Sequence, residues 1–95
     1  MKKNFYLTTA ISYVNGAPHL GHAYEAVASD ALARFKRLQG INTFFLTGTD
    51  EHGEKNARSA EAAGLAPEIF IEKNTQLFQQ MTEFLNISND FFIRT

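Results

Sequence analysis

Cysteine is absent from the 95 residues, which excludes disulfides and thiolate metal ligands and does not contradict a reducing cytoplasm. No basic block stands out either. Nine Lys plus Arg face ten Asp plus Glu, for a formal charge of −1, so bulk charge carries no nucleic-acid footprint. Long apolar runs are missing too. Lys2 and Lys3 precede only a short apolar stretch, broken by Thr8, Thr9 and Ser12 and followed by no small-residue cleavage site. Neither a signal peptide nor a transmembrane span is expected, and a soluble, cytoplasmic protein is. A chain this short is one domain at most and buries only roughly 60–70% of its unfolded surface.

Two common phosphate signatures are also absent. Gly16 and Gly21 keep the G-x-x-x-x-G spacing of a P-loop, but His22 and Ala23 stand where that loop needs Lys and Ser or Thr. The dinucleotide fingerprint G-x-G-x-x-G is missing, so a nicotinamide or flavin reading has no support. His19, His22 and His52 offer nitrogen ligands, yet neither an H-E-x-x-H pattern nor a cysteine supports a metal.

What the chain does contain is an alternation of strand and helix periods. Phe5 to Ile11 reads as a buried strand, with turn chemistry at residues 15–18. Leu20, Tyr24, Val27, Ala28, Ala31, Leu32, Phe35 and Leu38 recur at helical spacing and predict one apolar face on a helix that stops at Gly40. On that helix Asp30 and Arg34 read as a weak surface pair. Residues 42–47 predict a second strand, covered on both faces through Phe44-Phe45-Leu46, and Gly48 and Gly53 bracket a polar turn. Residues 54–63 are helical up to Gly64. Pro67 opens a third helix with Phe70, Leu77, Phe78, Met81, Phe84 and Leu85 on one side, and Phe91-Phe92-Ile93 begins another strand. The order is that of the first half of a Rossmann-like parallel α/β sheet with crossover helices, read here as truncated at Thr95.

Pro18-His19-Leu20-Gly21-His22 stands at the first strand-to-helix turn. The leading N–H groups of a helix lack intrahelical partners and favour phosphate. Two imidazoles there can donate to phosphoryl oxygens as charge builds at an α-phosphorus, and Gly21 lets a flat ligand such as a purine lie against the helix. Alone, such a pair is more often a helix cap or a surface pair than an active site. Thr47-Gly48-Thr49-Asp50-Glu51-His52-Gly53 follows the second strand, at the edge where open parallel sheets bind ligands. Asp50 suits an ammonium group, or a cap for the next helix. Two such loops at one edge point to a ligand site.

The run Ala10-Ile11-Ser12-Tyr13-Val14-Asn15-Gly16-Ala17-Pro18-His19-Leu20-Gly21-His22-Ala23-Tyr24, together with Leu46 to Gly53 and Asn89-Asp90-Phe91-Phe92-Ile93-Arg94-Thr95, resembles the amino-terminal part of bacterial methionyl-tRNA synthetases. The resemblance covers the whole chain. Related enzymes for valine, isoleucine and leucine share H-x-G-H but differ around the first strand and the second loop. The resemblance implies a class I enzyme that activates methionine with ATP and Mg²⁺ and passes it to tRNA(Met). It assigns Ser12 to His22 to the HIGH region, with His19, Gly21 and His22 binding ATP and the two histidines stabilising the transition state. It assigns Ala10, Ile11 and Tyr13 to the methionine pocket and Asp50 to the α-ammonium group. Ser12 and Leu20 depart from the commoner proline and isoleucine.

By the same resemblance, residues 1–95 are the amino-terminal part of the class I catalytic domain, with no second domain. They lack the KMSKS loop, the insertion that carries zinc in many members, and the helical domain that reads the anticodon. Little activity and weak ATP affinity are then expected of the chain alone. On residue type alone, Ile11 and Tyr13 read as core side chains and Glu25 as a solvent-exposed carboxylate. Two other readings stand: a self-contained module that binds a nucleotide or partner without catalysis, and a nucleotidyltransferase of the wider H-x-G-H superfamily.

Overall fold

The computed structural model describes residues 3–95; Lys2, part of the charged start of the chain, lies outside them. In chain order the elements are β1 (Asn4–Thr8), β2 (Ser12–Tyr13), α1 (Leu20–Leu38), β3 (Asn42–Asp50), α2 (Glu54–Ala62), α3 (Pro67–Phe84) and β4 (Phe91–Arg94). β3 pairs in parallel with each of the other three strands. Leu46 has partners in Thr8 and Phe91, and Thr49 has partners in Ser12 and Arg94. A strand residue has only two sides, so β3 is central, with β1 and β2 in line along one side and β4 along the other.

The first predicted strand is therefore two. Between the pairs Thr8–Leu46 and Ser12–Thr49, residues 9–11 oppose only residues 47 and 48. That extra residue is a bulge, the device that bends a strand and re-aims its side chains. Burial along β1 alternates between exposed and half-buried, so it is not buried on both faces as expected. β3 differs from expectation in the same way. Phe45 is fully buried but Phe44 is 45% exposed, its ring stacked on exposed Tyr6. Gly48 lies inside β3 and does not open a turn. Only Glu51 to Gly53 turn the chain. Asp50 does not cap α2, whose N-cap is Gly53 with no side-chain hydrogen bond.

The apolar stripe of α1 faces outward. Leu20 and Leu38 are 85% and 87% exposed, and Tyr24, Val27, Ala28, Ala31, Leu32 and Phe35 are exposed as well. The buried residues are Ala26, Asp30 and Ala33, on the opposite side of the helix. Two alanines let the helix backbone approach the sheet, and Asp30 makes the expected pair with Arg34, though as part of a buried polar latch. Only 8% exposed, its carboxylate accepts from the Ser88 N–H and hydroxyl and from Arg34 Nε at 2.8 Å. Arg37 donates to the Ser88 carbonyl and to Asp90, and Asp90 accepts the Phe45 N–H at 2.8 Å. Helix, turn and central strand are tied together. Burial pushes the Asp30 carboxyl up, but the hydrogen bonds and charge from Ser88 and Arg34 outweigh it and hold the group below its ordinary 3.8.

α3 buries Phe78 while Phe84, expected on the same face, is 89% exposed. Uncovered faces of this kind give the chain a radius of gyration of 15.0 Å, against about 12 Å for a closed domain of this length.

Candidate nucleotide and amino-acid site

The site grows from the carboxyl end of β2. After Tyr13 the chain passes through residues 14–18 into α1, and buried Asn74 of α3 donates to the Val14 carbonyl at 2.9 Å. That bond fixes the last point of the strand before the turn. His19 is then the N-cap. Its Nδ1 accepts the Gly21 N–H at 3.0 Å, and the Nδ1 of His22 reaches back to accept the His19 N–H at 3.0 Å. The pair is thus a capping box built from histidines.

The cap decides the chemistry of the rings. A neutral imidazole has one donor nitrogen and one acceptor, so two occupied Nδ1 acceptors leave each Nε2 as an N–H donor. The ring centroids are 4.0 Å apart. Phe78 presents an edge contact to His22 at 4.9 Å. Burial, then the neighbouring His19, lowers the His22 pKa below its ordinary 6.5, while Glu25 opposes the shift. Gly21 is needed for this geometry, since a Cβ there would sit 2.8 Å from Cε1 of the His19 ring.

Both histidines open onto a depression of about 480 Å³ that they share with Ala10, Ile11, Ser12, Tyr13 and Lys55, within the size range of ligand pockets. Ile11 and Tyr13 are exposed, so neither is the core residue that its type suggests. Asn15, Gly16 and Ala17 complete the wall. Val14 is fully buried, and Leu20 is exposed and outside the lining. Asp50 is not part of the lining, but it is the register partner of Tyr13 and accepts from the Thr95 hydroxyl at 3.2 Å. Beside it Arg94 grips Glu51 through two 2.8 Å contacts and also reaches Glu72. These partners raise the Arg94 pKa.

Three residues shape the site that no sequence signal places there. Lys55 holds its ammonium 5.7 Å from the Tyr13 ring centre, within cation–π range. Asn74 and Phe78 reach the site from α3, a contact over some 60 residues that no local pattern signals. Glu25 is exposed, as its type suggests, and also accepts the Ala10 N–H at 2.9 Å. His52 is exposed, and among the described residues no three His, Cys, Asp or Glu side chains converge as a metal site.

A parallel sheet with a histidine-capped helix at its carboxyl edge, beside an open pocket, is the architecture of the first half of a class I synthetase catalytic domain. Residues 5–95 match the family model described as tRNA synthetases class I (M), and the chain belongs to that family. It is 54% identical over 94 residues to the methionine–tRNA ligase of Brucella suis. With that of Mycobacterium tuberculosis it is 59% identical over 93 residues. These alignments take in 99% and 98% of this chain but 18% of either relative. The crystal structure of M. tuberculosis methionyl-tRNA synthetase bound by methionyl-adenylate superposes with a TM-score of 0.95 at 58% identity, over 98% of this chain and 18% of that one.

Proposed function

We propose that this chain carries the ATP- and methionine-binding half-site of a methionine–tRNA ligase. The observation that supports it best is the histidine capping box, which leaves two neutral Nε2–H donors side by side above a pocket. In the reaction an oxygen of the methionine carboxylate attacks the α-phosphorus of ATP. The bond from that phosphorus to the bridging oxygen breaks, and pyrophosphate leaves with the electron pair. His19 and His22 donate to the phosphoryl oxygens as their charge rises, in fixed positions that need no reorganisation. Gly21 gives the purine room against the helix.

Ala10, Ile11 and Tyr13 receive the methionine side chain, with a sulfur–aromatic contact to the tyrosine, and Asp50 takes the α-ammonium. Mg²⁺ arrives with the ATP phosphates. A ribose hydroxyl of tRNA(Met) then attacks the adenylate carbonyl and AMP leaves. In this reading residues 1–95 are the amino-terminal part of the catalytic domain of a cytoplasmic enzyme; no helix among the described residues is long and apolar enough to cross a membrane. Zinc, where the longer protein holds it, belongs to the insertion outside this chain.

The test is ATP–pyrophosphate exchange by the full-length enzyme carrying this sequence. Exchange should require methionine, and His22→Ala should lower it by about 10²- to 10³-fold, the cost of one lost transition-state donor. Exchange driven by another amino acid, or unaffected by the substitution, overturns the proposal.

A further inference from the structure

We infer that Glu25 is a positioning residue for the amino-acid pocket, acting through the backbone of Ala10; the inference rests on the methionine-pocket reading above. The bulge at residues 9–11 takes Ala10 out of the β ladder. Thr9 still donates its N–H to the Leu46 carbonyl, and its hydroxyl meets that of Thr47 at 2.7 Å. The next N–H has no strand to bond to. Glu25 supplies the acceptor, with Oε1 2.9 Å from Ala10 N. An amide held by a carboxylate is a charge-assisted bond, roughly twice as strong as a neutral one.

What this bond fixes is the pocket wall. Ala10 lines the depression in front of the histidines and also a narrow crevice behind it, where Glu25 and His22 meet Phe78. Ile11 follows directly, is exposed and lines the same depression. Glu25 lies on the same helix as the capping histidines, one turn along. One rigid element therefore sets both the phosphate-facing donors and the path of the wall on the amino-acid side. A wall that is less well ordered before ligand arrives weakens binding of the side chain it receives, because the ordering must then be supplied on binding.

In the full-length enzyme, Glu25→Ala should raise the methionine KM about tenfold or more, leaving the ATP KM and the saturated exchange rate within about twofold. Glu25→Gln keeps an acceptor oxygen and should stay within about threefold of wild type. Amide hydrogen exchange gives a readout that does not depend on substrate. Protection of the segment at residues 9–11 should fall in the Ala variant, persist in the Gln variant, and leave α1 unchanged in both. A rise in ATP KM instead, equal damage from both variants, or unchanged protection overturns the inference. If wild-type exchange does not depend on methionine, the parent reading fails, and hydrogen exchange still decides whether Glu25 holds the bulge.

Discussion

Gly48 and Ile93 are register partners across β3 and β4, and they approach so closely that a Cβ on Gly48 would sit 2.1 Å from the Ile93 carbonyl oxygen. The glycine is there because the neighbouring backbone fills the space of a side chain, and not to make a turn. Gly48→Ala should push β4 off the sheet and destabilise the full-length enzyme by about 3 kcal/mol, the upper end of overpacking costs. A thermal melt within 1–2 °C of wild type would refute this.

Helix capping and catalysis by His19 can be separated. Asparagine is among the best N-caps, so His19→Asn should keep α1 within about 0.5 kcal/mol of wild type, but it cannot place a donor where the distant Nε2 does. Adenylate formation should fall about 10²-fold without loss of helicity. Loss of both together would mean the ring serves only the cap.

Acid should loosen the site in two stages. His22 has its pKa lowered below 6.5, so the unfolded chain binds more protons in the window just under that value. Its contribution to stability is present above pH 6.5 and lost as pH falls through the lower folded value. A proton also removes the capping acceptor. Asp30, held below 3.8, contributes stability above that value and loses it only in stronger acid. Urea melts between pH 7 and pH 3 should show the first fall in wild type but not in His22→Asn.

Removing the Asp30 carboxylate leaves three donors without their acceptor, two of them on half-buried Ser88 and one on the part-exposed Arg34 side chain. Asp30→Ala should cost about 3 kcal/mol, and Asp30→Asn, which keeps one acceptor, less. Equal effects would show that the latch is held by Arg37 and Asp90 alone.

The outward stripe of α1 should bind a hydrophobic dye. The 95-residue chain in isolation is expected to enhance ANS fluorescence severalfold over an equimolar amount of the full-length enzyme, since exposed contiguous apolar surface on this scale is unusual in a closed protein. Equal signals would mean the stripe stays exposed in the longer protein too.

Much of this was legible in the residues. Periodicity locates the three helices and the α/β order, and Gly40 and Gly64 mark the ends of two helices at positive φ. The bulge was not, because Thr9-Ala10-Ile11 continues the β-branched and apolar pattern of β1 and only the pairing with β3 reveals the extra residue. Nor was the facing of α1. Hydrophobic periodicity names a face but not its partner, and here the sheet takes the alanine side because Asp30 and Arg37 are committed to residues 86–90. Asp30 pairs with Arg34 as their spacing suggests, but its bond to Ser88 and that of Asp50 to Thr95 span more than 40 positions, which no local pattern signals.

The all-parallel sheet also dictates an order of assembly as the chain leaves the ribosome. Strand partners β1 and β3 are 38 residues apart, and β3 meets the turn before β4 over a span of 45, so no pair in the sheet can form from neighbouring sequence. α1 emerges complete, with its histidine cap made entirely from local contacts, while the strand that it must cover is still unmatched. The phosphate-facing turn is thus prefabricated and the amino-acid wall is not. Ala10 and Tyr13 must wait for β3, and Val14 for Asn74 far behind it, leaving a nascent chain that is half a binding site long before it is a sheet.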